Sequence, residues 1–211
     1  MRFILLLLVT VPLTGQSPDS VCTAIRQLSV GAWAEYELHG VGGREAHGRM
    51  RNAVVGTELR GDTTFWWHES FVRADEGTLI IKSLIPGYPF DARQVRDLIM
   101  KMNDEPPTRM PEYMLAMMRT GDGPPDHAYL SVSECASAEN LGWEELDTPV
   151  GTVRALHSRT ATPDGEAVDV WMTPAVPFGI VRLSGGGVEL VLLGHGTGAT
   201  SAITEPPQEM R

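Results

Sequence analysis

The sequence predicts an α+β fold. It comprises a large curved antiparallel sheet, half-barrel-like, of about eight or nine strands, with two inserted helices packing on one face and a short N-terminal helix. Three observations carry this reading. Apolar and polar residues alternate with a period of two in segments before residue 86 and again after residue 135. The connections between those segments are short and glycine-rich, which suits antiparallel neighbours, because a parallel neighbour needs a long crossover. Between the two blocks, residues 86–120 hold apolar side chains, many of them methionine, at helical spacing.

Residues 1–15 read as an export signal. Met1-Arg2 is a short positive start, residues 3–11 are an almost unbroken apolar run, and the following residues turn small and polar. The run is too short to span a bilayer as a helix of about 20 apolar residues. An uncleaved anchor is the alternative. Residues 16–195 are expected to form a single domain and residues 196–211 a loose tail, small, polar and proline-containing. Residues 18–28 predict the N-terminal helix, capped by Asp19 or Ser20, with Val21, Ile25 and Leu28 on one face.

In residues 32–39, Ala34, Tyr36 and Leu38 alternate with Trp33, Glu35, Glu37 and His39, as in a half-buried strand. Residues 44–59, 63–73 and 78–85 continue the meander, with turns at Gly61-Asp62 and Asp75-Glu76-Gly77. Asp91 is expected to cap a first inserted helix. Its apolar face would hold Val95, Leu98, Ile99 and Met102, and its polar face Arg93, Arg96, Asp97 and Lys101. Pro106-Pro107 break that helix, and Thr108 caps a second with a stripe of Met110, Tyr113, Met114, Met117 and Met118. Strands resume at residues 141–146, 151–160, 167–173, 178–183 and 188–193.

Composition excludes some functions. The chain has 211 residues and a net charge of -10, from 27 acidic against 17 basic side chains. That charge repels phosphate backbones, so nucleic acid is not expected as a partner. Two cysteines, Cys22 and Cys135, in an exported chain predict a disulfide. A lipidated Cys22 fits poorly, because polar residues 17–20 separate it from the apolar run.

The chemistry-bearing residues form no catalytic pattern. The six histidines are scattered without metal-ligand spacing, and no G-x-S-x-G elbow is present. Residues 194–201 are glycine-rich but lack the P-loop lysine. Methionine thioethers are soft copper(I) ligands, yet no Cys or His accompanies them and helical packing explains their spacing. No metal and no cofactor is therefore expected. In residues 65–71, alternation sets Trp67 with Phe65, Glu69 and Phe71 on one face and Trp66 with His68 on the other. Packing and a cavity lining are both open for these tryptophans. An apolar groove between helices and sheet would be lined by Leu98, Met102, Met110, Tyr113, Met114, Met117 and Met118, with Trp66 and Trp67.

The export signal, N-terminal helix, strand blocks and helical insert at residues 91–119 together resemble the periplasmic lipoprotein-carrier fold, LolA- or LppX-like. Residues 176–183 and 196–203 are similar to stretches of an uncharacterised exported bacterial family. The resemblance implies a curved sheet whose apolar concave face is lidded by helices. The expected function is a periplasmic or extracellular, non-enzymatic binding protein with an apolar groove, a lipid or lipoprotein carrier or sensor. A structural or interaction module with a filled core and an envelope protein partner is the alternative, and an envelope hydrolase a third. No integral membrane span is expected after signal cleavage.

Overall fold

The structure is a computed structural model that describes residues 17–25, 27–41, 44–75, 77–87, 92–120, 135, 137–161 and 165–210. Residues 1–15 and Asp91 lie outside the described residues.

Helix α1, Pro18–Ala24, begins where its sequence supplies the start signals. Ser17 is the N-cap, its hydroxyl accepting from the Ser20 backbone N–H at 3.3 Å, and Pro18 takes the first turn, where a missing N–H costs nothing. Asp19 and Ser20, the expected caps, are inside the helix. The helix also stops short of Leu28, having buried Val21 and Cys22.

Twelve strands among the described residues form one sheet. Four open the chain as the expected meander: β1 (Trp33–Val41), β2 (Arg44–Arg60), β3 (Thr63–Ala74) and β4 (Gly77–Ile85). Then come β5 (Asp97–Met102) and β6 (Thr108–Arg109), followed after α2 (Glu112–Thr120) by β7 (Glu139–Thr148) and β8 (Gly151–Ala161). The last are β9 (Ala167–Met172), β10 (Ile180–Gly185), β11 (Val188–Gly196) and β12 (Gln208–Glu209). Their order across the sheet is β12-β6-β5-β4-β3-β2-β1-β11-β10-β9-β8-β7, antiparallel throughout except for the parallel β12–β6 pair. Strand β7 nonetheless approaches β11, so this end of the sheet curls back on itself.

Among the described residues the sheet exceeds the eight or nine strands expected, one of the two inserted helices is present, and Thr108, expected to cap it, lies in β6. The first inserted helix is a short 3-10 turn, Ala92–Gln94, leading into β5. Leu98 and Met100 point to one face, beside Ser83 and Ile81, while Asp97 and Ile99 point to the other, beside Leu84 and Lys82. Both faces are covered, so apolar residues occur on both and the period of two disappears from the sequence. From Thr197 the chain crosses the outer face as a strap, burying Ile203 against Ile80 and Ile99 and ending in β12 beside β6.

The main core lies on the inner face at the α1 end. Tyr36, Leu156, Leu192, Val181 and Phe178 are fully buried there, with Val21 and Cys22 of α1 packed among them. The Cys22–Cys135 disulfide ties α1 to the segment preceding β7. Phe178 adopts φ 65 and Gly179 φ 80 in the turn before β10. A side chain at Gly179 would overlap Ile25, and the unfavourable backbone at Phe178 is held by burial of its ring against His68.

Candidate functional site

The methionine-rich insert keeps one helix, α2, and the register of β3–β5 decides what it meets. Trp66, Ile85, Ile81, Leu98 and Met100 share the inner face of the sheet. Leu115 of α2 buries against Ile85, Val95 and Leu98, with Met110, Met118, Met100 and Trp66 partly buried around them. Trp66 also touches the main core, so it joins the two apolar clusters.

The expected groove residues therefore separate into three groups. Leu98, Met110, Met118 and Trp66 come together beneath α2, and Met114 is half-buried on the helix. Tyr113 and Met117, one turn apart, project away from Leu115 and are 65% and 55% exposed. Met102, at the end of β5, is 56% exposed. Trp67 does not belong to this site. It sits on the outer face, its ring under the Lys82 ammonium at 5.2 Å and its indole N–H donating to Glu58 at 3.2 Å.

Near its C-terminal end, helix α2 is tied to the segment before β5 by a polar contact. Arg119 pairs with Glu112 one face along the helix and reaches the Val95 carbonyl at 3.5 Å. Leu115 faces the sheet within its apolar cluster, and the Tyr113–Met117 ridge lies outward.

Two histidines have well-defined environments. His68, on the inner face, is buried against Phe178, and burial pushes its imidazole down to about 4 from 6.5. On the outer face His157 lies between Glu144 (2.8 Å at Nδ1) and Asp169 (2.9 Å at Nε2) and stacks on Trp171 at 4.2 Å. Trp171 donates its indole N–H to Glu144 at 2.7 Å, and Arg159 grips Asp169 with two nitrogens. The Trp171 hydrogen bond holds the Glu144 carboxyl below its usual range, and the Arg159 contact does the same for Asp169. Both His157 nitrogens are engaged, so neither offers a lone pair to a substrate or metal. Among the described residues no group of three or more His, Cys, Asp or Glu side chains is arranged to hold a metal ion.

No protein-family model matches the chain, and no curated protein does. Several solved structures are similar to it. A lipoprotein candidate from Parabacteroides distasonis shares 12% identity and a TM-score of 0.39 over 82% of this chain and 98% of its own. A candidate exported protein from Bacteroides fragilis with a YmcC-like fold shares 10% identity and a TM-score of 0.37, over 80% of this chain and 97% of its own. MucB shares 9% identity and a TM-score of 0.38, and the likeness covers 86% of this chain but 57% of MucB. Likeness at this level bears on neither ligand nor activity.

Sequence reasoning missed one group of residues altogether. Arg49 and Arg51 of β2 and Arg73 of β3 converge with Glu35 on a cleft in the outer face. Their signal was present as charged residues two apart in a strand, which places them on a common face.

Proposed function

We propose that the protein is an exported, non-enzymatic binding protein that shelters an apolar ligand, the acyl chain of a lipid or lipoprotein, at helix α2. The observation that carries this reading is that α2 is apolar on two sides. Leu115 and Met118 seat it on the sheet, while Tyr113 and Met117 stand more than half exposed on the opposite side. A helix packed on one stripe is ordinarily polar on the other, and a second apolar ridge suits a second apolar surface. Methionine adapts to irregular apolar shapes, which fits a flexible chain better than a rigid one. Export is supported by the signal-like residues 1–15 and by the Cys22–Cys135 disulfide, since disulfides persist in oxidising compartments.

The test is organic-solvent extraction of the protein purified from its native envelope, with mass spectrometry of the extract. Co-purifying lipid that is lost in Met117→Glu and Tyr113→Glu, with both variants folded, is the expected result. Lipid-free protein that also fails to take up a fluorescent fatty acid would sink the reading. The closed cluster around Phe178 and Tyr36 favours a second reading, an envelope interaction module with a filled core. Crosslinking to a protein partner through the α2 ridge, without lipid, would select it.

A further inference from the structure

The outer face holds a feature that the α2 reading leaves unused. An open cleft of about 280 Å³ lies between β1–β3 and the C-terminal strap, walled by Glu35, Arg49, Arg51, Phe71, Arg73 and Thr200, with Glu69 and Ala202 beside them. We infer that this cleft is a binding site for a small organic carboxylate, its charge taken by Arg51 and Arg73 and its apolar body laid on Phe71 and Ala202.

Arg49 of β2 and Arg73 of β3 are directly opposed Cα partners, a like-charge pair that destabilises the sheet unless an anion lies near. Of the two acids lining the cleft, Glu35, the Cα partner of Arg51, turns to Arg49 at 3.5 Å, and Glu37 also opposes Arg49 across the β1–β2 pair. The second acid, Glu69, is committed elsewhere: it accepts from the Ser201 hydroxyl at 2.6 Å and the Ala202 N–H at 2.9 Å, and opposes Lys82 across the β3–β4 pair. Arg51 and Arg73 are left. Among the described residues neither forms an ion pair with a carboxylate, and the Arg51 Nε is buried without an acceptor.

Both guanidiniums stack instead on rings, Arg51 at 4.5 Å over Trp33 and Arg73 at 5.8 Å over Phe71. A stacked guanidinium keeps its in-plane N–H edge free, and that edge matches a carboxylate with two parallel hydrogen bonds. Three arginines against two glutamates leave one net positive charge in the cleft, within a chain whose net charge is -10. A single positive charge beside an apolar wall suits a monoanion with an apolar body better than a phosphate dianion.

The experiment is a titration of the purified protein with benzoate, read by calorimetry and by the indole N–H resonance of Trp33, with inorganic phosphate as comparison. Saturable benzoate binding at millimolar concentration or below is expected, weaker binding of phosphate, and about tenfold weaker benzoate binding in Arg73→Gln. Arg73 is exposed, so this variant keeps the fold. Arg51→Gln gives an independent second variant, also expected to weaken binding. The inference is overturned by the absence of saturable benzoate binding, by phosphate binding as tightly, or by unchanged benzoate affinity in both variants.

Discussion

Glu69 accepts a 2.9 Å hydrogen bond from the backbone N–H of Ala202, 133 residues further along the chain. This contact, with Ser201 on the other carboxylate oxygen, pins the strap to β3 and lets Ile203 bury against Ile80 and Ile99. Glu69 is itself buried, so truncating it strands the Ala202 donor. Glu69→Ala is expected to cost roughly 1–3 kcal/mol and to speed amide exchange in residues 197–205. Glu69→Gln retains an acceptor and should stay closer to wild type. Unchanged exchange in Glu69→Ala would show that Ile203 alone holds the strap.

His68 gives the fold an acid limit. Its folded value of about 4 lies below the ordinary 6.5, so the unfolded chain takes up the proton first. The stability that the neutral His68 contributes is therefore complete above pH 6.5 and is lost as pH falls towards 4, by roughly 3 kcal/mol at the lower end. Urea unfolding across that window should show the slope, and His68→Phe should flatten it. A persisting slope in the variant would assign the loss to other groups.

The strands of the meander were legible in the sequence because one face is buried and the other polar, as in β1, where Tyr36 alternates with Glu35 and Glu37. Strand β5 was not, because Ile99 is covered by Ile203 from a segment 104 residues distant that local spacing does not reveal, as the Lys101–Glu205 contact on the same face also shows. Its apolar positions then satisfied a helical template as well as a strand template. The same physics divided the expected groove. Spacing put Trp66 and Trp67 on opposite faces but gave no indication that α2 would cover only one, and the methionine stripe of α2 divides between its sheet-facing and outward sides. The arginine cleft was hidden for another reason: its residues come from three strands and the strap, and only the register assembles them.

The Trp171–Glu144 hydrogen bond is testable without unfolding the protein. It holds the Glu144 carboxyl below its usual range, so Trp171→Phe should raise that carboxyl towards the ordinary value. A carboxyl lowered on folding contributes stability above its unfolded value and loses it as pH falls through the folded one. Carboxyl carbon shifts followed by NMR would measure the change. A Glu144 titration identical in Trp171→Phe would mean that the His157 contact alone sets it.

Removing the Cys22–Cys135 bridge releases a sequence separation of 113 residues in the unfolded chain. Chain entropy sets the loss at about 4–5 kcal/mol for a loop of that size. The double variant Cys22→Ala/Cys135→Ala should melt lower and expose α1 first, seen as faster exchange at Val21. Because Val21 and Cys22 are both buried in the main core, a single variant would add a cavity effect to the entropic one.

Leu98 and Met117 separate core from binding surface. Leu98 is 3% exposed beneath α2, and Leu98→Ala should leave a cavity costing about 2–5 kcal/mol. Met117 is 55% exposed on the outward ridge of the same insert, so Met117→Ala should change stability by no more than about 0.5 kcal/mol. Uptake of a fluorescent fatty acid should show the reverse order, Met117→Glu abolishing it and Leu98→Ala retaining it at temperatures where that variant is folded. Equal loss of uptake from both would place the acyl chain between α2 and the sheet. Loss from Leu98→Ala alone would remove the outward ridge from the site.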